Sequence, residues 1–258
     1  MIGNTQNEQK LYGKTWNTAF GGYFADPEIA SPLVRAVIEA VEVSNPSVIA
    51  DLGGGTGFLL SEIGRSLGSD RSPSLVCVDE AAAQLDDCPD GILTLNCPVE
   101  SVERSQLTGE DDPLMMCMRS VLHYFGEDSL RPALAHLRSL LAPGEYFVNQ
   151  DICLEDVGDQ AVANLLYLRM NTGKWYPTVD GLVGALESEG FRVVSCAPAT
   201  TLCLSGPELE ERYGIGRRQM EKIGRELERH SPSSRVFVRG EKAFTICLDY
   251  KVMTCVAA

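Results

Sequence analysis

Nowhere along the 258 residues does an apolar run approach the ~18 that a membrane span needs, so the pattern excludes a bilayer helix. The opening stretch, Met1 to Lys10, is polar and has neither a basic leader region nor an apolar core; a soluble protein that is not exported is expected. Histidine is scarce: His123, His136 and His230 are the whole supply, which leaves few bases. The nine cysteines include no C-x-x-C pair and no histidine at ligand spacing, so no metal site is expected. Their number is odd and several fall inside apolar runs, a pattern that reads as reduced core thiols in a reducing compartment, the cytoplasm. Positive charge is also short, with 22 Lys and Arg against 36 Asp and Glu. The resulting net charge of −14 repels a phosphate backbone. The one basic cluster, Arg217, Arg218, Lys222, Arg225 and Arg229, shares a predicted helix with Glu208, Glu210, Glu211, Glu221, Glu226 and Glu228. It reads as solvated helix surface, and no nucleic-acid or membrane partner is expected.

What is present is an alternation of strand and helix patterns. Ser31-Pro32 followed by Leu33, Val34, Val37, Ile38 and Val41 predicts a capped helix with one apolar stripe. Ser47 to Leu52 is a short apolar run that breaks into Gly53-Gly54-Gly55-Thr56-Gly57, after which Leu59, Leu60, Ile63 and Leu67 resume helical spacing. Further strands are predicted at Leu75–Val78, Ile92–Leu95, Leu114–Met118, Tyr146–Ile152 and Phe191–Val194, and a last pair near Val236–Val238 and Phe244–Leu248. Helices carrying Leu130, Leu134, Leu137 and Leu141, then Leu182, Ala185 and Leu186 after Thr178, then Met220, Ile223 and Leu227, fall between them. The expectation is an α/β fold: a Rossmann-like doubly wound sheet of about seven strands, mostly parallel with an antiparallel C-terminal strand, and helices on both faces. A single domain, 1–258, is expected, with 1–44 as an N-terminal helical cap and 156–177 as a lid insertion over the crevice at the carboxyl ends of the strands.

The glycine loop separates two cofactors. A dinucleotide fingerprint needs G-x-G-x-x-G, but counting from Gly53 the third glycine position is Phe58. An acid two places before the first glycine suits an ammonium better than a pyrophosphate. Asp51-Leu52-Gly53-Gly54-Gly55-Thr56-Gly57 resembles the acidic-x-Gly-x-Gly-x-Gly motif of class I S-adenosylmethionine-dependent methyltransferases. The resemblance continues through Asp79-Glu80 after the second strand, Met118 to Tyr124 after the fourth and Leu140 to Glu145 before the fifth. It covers roughly residues 45 to 195.

That resemblance implies S-adenosylmethionine as cofactor, with Asp51 near its ammonium, Gly53, Gly54, Gly55 and Gly57 around its amino-acid end, and Asp79 or Glu80 on the ribose diol. Cys97, Pro98 and Arg119 complete the implied cofactor set. The adenine-side aspartate usual after strand three is missing from Asn96-Cys97-Pro98-Val99-Glu100. The implied activity is methyl transfer to a small molecule, with O-, N- and C-methylation all open. The alternative is a cofactor-binding protein of the same fold with another activity or a regulatory role. Alignment of the acceptor and exclusion of water are the main demands of such chemistry, a base being needed only for a protonated acceptor. His123 and Asp151 are the candidates for the chemistry. Tyr12, Trp16, Tyr167, Met170, Trp175 and Tyr176, in two aromatic-rich segments flanking the crevice, are the candidates for holding the acceptor. Monomer and homodimer are equally compatible with the sequence.

Overall fold

The computed structural model describes residues 22–68, 73–230, 234–241 and 243–258. Ten strands run in chain order: β1 Val48–Leu52, β2 Ser74–Asp79, β3 Ile92–Asn96, β4 Leu114–Arg119, β5 Tyr146–Ile152, β6 Phe191–Pro198, β7 Leu202–Ser205, β8 Phe237–Arg239, β9 Phe244–Leu248 and β10 Tyr250–Ala257. Seven form one sheet in the order β3-β2-β1-β4-β5-β10-β6. Only β10 runs antiparallel to its neighbours, so the Rossmann-like fold class expected from the pattern is the one observed.

Strands β1 and β4 are buried on both faces because helices cover both. Period-2 alternation sends Ala50, Leu52, Met116 and Phe147 toward the helices Gly126–Ser139 and Val179–Ser188. Ile49, Met115, Cys117 and Val148 face the helices Pro27–Ser44 and Phe58–Leu67 instead. Those two helices bring Leu33, Val37, Leu60 and Ile63, all fully buried, and each such side chain contributes about 1.5–3 kcal/mol of transfer free energy. Packing of this stripe, more than intrinsic propensity, holds the helices.

Four expectations are corrected. The first helix starts at Pro27, capped by Asp26, whose carboxylate accepts from the Glu28 N–H at 2.8 Å, and not at Ser31-Pro32. Pro32 is accommodated inside it because the Glu28 carbonyl it cannot bond accepts the Ser31 hydroxyl instead, at 2.9 Å. The pair β8 and β9 does not close the main sheet; it joins β7 in a separate antiparallel sheet, order β7-β9-β8, and the antiparallel member of the main sheet is β10. The basic stretch lies on a helix of its own, Arg217–His230, parted from Gly206–Tyr213 and its glutamates by the left-handed Gly214. Finally, Cys203 and Cys247 are not reduced thiols: they stand directly opposite each other on β7 and β9 and form a disulfide. The other seven cysteines are free.

The small sheet and its two helices cover the carboxyl end of the main sheet. Leu204, Leu209, Ile223, Leu227 and Ile246 form a third core there, continuous with Ile152, Leu166 and Tyr176. Among the described residues no helix is long and apolar enough to cross a membrane.

Candidate active site

Strand β1 ends in a loop whose glycines are demanded by space. Gly53, Gly55 and Gly57 have φ of 76°, 58° and 72°, where an L side chain is strained. Gly54 has ordinary φ, but a Cβ there would stand 2.7 Å from both Oδ2 of Asp51 and Sγ of Cys77. The loop therefore wraps the Asp51 carboxylate at backbone distance. Asp51 is 2% exposed, and its Oδ1 has no hydrogen-bond partner. Burial first, then the nearby Asp79 charge, push its pKa up to about 7, against a smaller opposing effect of Arg119 and a bond from the Cys117 thiol.

At the end of β2, Asp79 is half-buried and turned toward the same loop. Its Oδ2 accepts from the Gly55 N–H at 2.9 Å and its Oδ1 from the Ala81 N–H at 2.8 Å. Burial raises its pKa and the two backbone donors lower it, the former prevailing. Each carboxylate oxygen keeps a second acceptor site, enough for a vicinal diol. Glu80 beside it is exposed. Cys97 follows β3, its N–H donating to the Asp79 carbonyl at 3.1 Å, and the exposed Pro98 opens the short helical turn Val99–Ser101.

Arg119, ending β4, donates to the Phe24 carbonyl at 3.0 Å and lies over the Phe24 ring, pinning the segment before the first helix across this end of the sheet. Burial lowers its pKa; the Asp51 carboxylate is among the groups that oppose this. Gln150, opposite Arg119 in the β4/β5 register, is 1% exposed and neither atom of its amide is bonded. Sequence reading missed it, although Asn149-Gln150-Asp151 is a polar triplet ending a buried strand, a signal that the strand end serves something polar.

The structure brings His123 and Asp151 together. Nδ1 of His123 is 2.8 Å from Oδ1 of Asp151, which also accepts the Ile152 N–H at 2.8 Å; exposures are 5% and 2%. The ring is further held by Tyr124 and Tyr176, with centroids 4.3 and 5.2 Å away. Among the tautomers of a neutral imidazole, a carboxylate facing Nδ1 selects the one with its proton there and its lone pair on Nε2. Ser120, just before, takes a left-handed φ of 61° and its hydroxyl donates to the Tyr250 hydroxyl at 3.1 Å. Such a conformation in a non-glycine residue at a strand end is the kind of local strain that collects at sites.

His123 lines a narrow pocket, with a cavity volume of about 20 Å³, together with Ser120, Tyr167, Tyr176, Lys174 and Tyr250. Arg212, Tyr213, Leu202 and Leu204 come to it from the small sheet and its first helix, elements the sequence pattern did not place there. Of the expected acceptor-side residues, Tyr167 and Tyr176 line it. Met170 is buried in the core behind, and Trp175 is half-buried with its backbone N–H donating to the His123 carbonyl at 3.1 Å. Tyr12 and Trp16 lie outside the described residues. No group of three or more His, Cys, Asp and Glu that could hold a metal occurs among the described residues.

No protein-family model matches the sequence, and no curated protein matches it. Solved structures do. The YcgJ protein of Bacillus subtilis is 14% identical, with 88% of this chain and 98% of that one covered and a TM-score of 0.67. The 1,6-didemethyltoxoflavin-N1-methyltransferase of Burkholderia thailandensis, solved with its substrate and S-adenosylhomocysteine, is 15% identical over 98% of this chain and 90% of that one, TM-score 0.54. The (4+2)-cyclase SpnF is 13% identical over 88% and 80%, TM-score 0.56. At such identities the likeness establishes a shared fold, and the chemistry has to be argued from the residues.

Proposed function

We propose that this chain is an S-adenosylmethionine-dependent methyltransferase acting on a small molecule. The observation that carries the reading is the buried Asp51 carboxylate, with an oxygen lacking any partner, set in a loop where three glycines take left-handed φ and a Cβ on the fourth would meet Asp51 itself. An unsatisfied buried carboxylate is costly unless a cation or donor meets it, and an ammonium does both. The residues fit the cofactor: Asp51 for the ammonium, Arg119 for the neighbouring carboxylate, Asp79 for the ribose diol, with Glu80, Cys97 and Pro98 alongside. Bound there, S-adenosylmethionine would supply a sulfonium-activated methyl group.

The chain's own part is to align the acceptor, exclude water and take a proton. His123, held by Asp151, presents Nε2 as the acceptor for a proton leaving a hydroxyl or N–H of the substrate. The aromatic walls from Tyr167 and Tyr176 keep the pocket dry, and we assign 156–177 as its lid within one domain. We assign the protein to the cytoplasm and expect no nucleic-acid partner; seven free thiols support the first, against the single Cys203–Cys247 bridge, and the net charge of −14 supports the second.

Likeness to a cyclase favours a second reading, in which the cofactor is bound but another reaction is run. Incubation with S-adenosylmethionine and a panel of small hydroxylated and amino acceptors separates the two. Acceptor-dependent release of S-adenosylhomocysteine is expected. Tight cofactor binding with no release across the panel would favour the second reading.

A further inference from the structure

We propose that Gln150 holds the cofactor's α-carboxylate together with Arg119, the side-chain amide N–H donating to that group. The inference rests on the S-adenosylmethionine reading above and adds to it a residue from β5.

The unsatisfied amide is the first ground. Gln150 is 1% exposed, and neither its Nε2 nor its Oε1 has a hydrogen-bond partner. A buried amide left unpaired is costly, so its partner is to be sought in a molecule that binds. Asn149, equally unpaired, stands on the opposite face of the strand between Met118 and Met253, its buried register partners, away from the glycine loop.

Position in the sheet supplies the second. Register partners on neighbouring strands share a face; Asp51 pairs with Cys117, and Gln150 pairs with Arg119, two residues further along β4. The bond from the Cys117 thiol to the Asp51 carboxylate agrees with that geometry. Asp51, Arg119 and Gln150 therefore project from one face of three adjacent strands, at their carboxyl ends. With strands about 4.8 Å apart, Gln150 is one spacing from Arg119 and two from Asp51. Alternation sends Asp151 to the other face, where it meets His123, and the described lining of the pocket around His123 does not include Gln150. The amide stands with the cofactor residues and apart from the base.

Arg119 supplies the third. Its two terminal nitrogens donate to the carbonyls of Phe24 at 3.0 Å and Tyr23 at 3.5 Å, while its buried Nε has no partner. The fork is thus turned toward the segment before the first helix, and a carboxylate drawn by the charge meets one uncommitted nitrogen. A carboxylate accepts several hydrogens, and Nε2 of Gln150 on the next strand is placed to give another. The ammonium goes to Asp51, whose Oδ1 is likewise unpartnered. The strand order β1-β4-β5 leaves the carboxylate to the side of Arg119 and Gln150.

The test is titration calorimetry at about pH 8, above the range in which Asp51 takes up its proton. The full chain is titrated with S-adenosylhomocysteine and with its decarboxylated analogue, in which a hydrogen replaces the α-carboxylate. Wild-type protein is expected to prefer S-adenosylhomocysteine by about a hundredfold or more. Gln150→Met, which keeps the length and removes the donor, should lose about tenfold in affinity for S-adenosylhomocysteine while its affinity for the analogue stays within about twofold. Retained binding of the analogue is also the check that the variant is folded. Equal losses for the two compounds, no loss for either, a variant that binds neither, or a wild-type protein without the preference would overturn the proposal. A wild-type protein that binds neither compound fails at an earlier step and takes the cofactor reading with it.

Discussion

Asp51 carries a pH signature. An aspartate in an unfolded chain ionises near pH 4, whereas this one, buried beside Asp79, does so at about 7. Between those values the fold holds a proton that the unfolded chain lacks, so this group's contribution to stability declines as pH rises through that window and is constant above it. Binding runs the other way, because the ammonium needs the charged carboxylate. Affinity for S-adenosylhomocysteine should therefore weaken as pH falls below about 7, approaching tenfold per pH unit, and Asp51→Asn should bind weakly with little pH dependence. Calorimetric titrations across that range read both. The His123–Asp151 pair makes a different prediction. Asp151→Asn removes the acceptor that fixes the imidazole tautomer, so kcat should fall by about 10²–10⁴-fold while cofactor affinity stays within about twofold. An equal loss in both parameters would make Asp151 a structural residue only.

At the scale of elements, legibility followed how local the determinant was. The strand, glycine loop and helix from Val48 to Leu67 could be read because burial on both faces demands a continuous apolar run and the loop demands glycine. Strand β5 was readable to its end residues for the same reason. Lys174, Arg212 and Gln150 were not, since nothing in a single sequence says which cation or amide a distant element will press into a pocket. Glu145 lies between these cases. Its place in the turn before β5 was legible but not its use: the carboxylate takes Arg104 in two bonds of 2.6 and 2.8 Å and the N–H groups of Leu114 and Ala142, each at 2.7 Å. It locks the starts of β4 and β5 together. Glu145→Ala should lower stability by about 2–4 kcal/mol, measured by urea unfolding, since it strands two backbone donors and a half-buried Arg104. These bonds depress the Glu145 pKa, so the stabilisation is present above its unfolded value and is lost as pH falls through the lower folded one.

On the scale of the whole molecule, the layers were written in the alternation of strands and helices, and the small sheet was not. The pair β8 and β9 was legible, but β7 is four residues long and follows β6 directly, and only the structure shows that it pairs with β9, to which Cys203 and Cys247 bridge it, apart from the main sheet. The bridge spans a sequence separation of 44, for which the loop-entropy estimate is about 4 kcal/mol. Reduction, or Cys203→Ser with Cys247→Ser, should lower the thermal midpoint. Because Leu202 and Leu204 face the acceptor pocket while the glycine loop belongs to β1, acceptor affinity should suffer more than cofactor affinity. Equal weakening of both would mean that the small sheet supports the whole crevice.

The account stands on what the glycine loop holds, and parallel calorimetric titration with S-adenosylmethionine, S-adenosylhomocysteine and NAD tests that directly. Binding of the first two at one site, without binding of NAD, is the predicted result. Binding of NAD alone, or of none of the three, would contradict it.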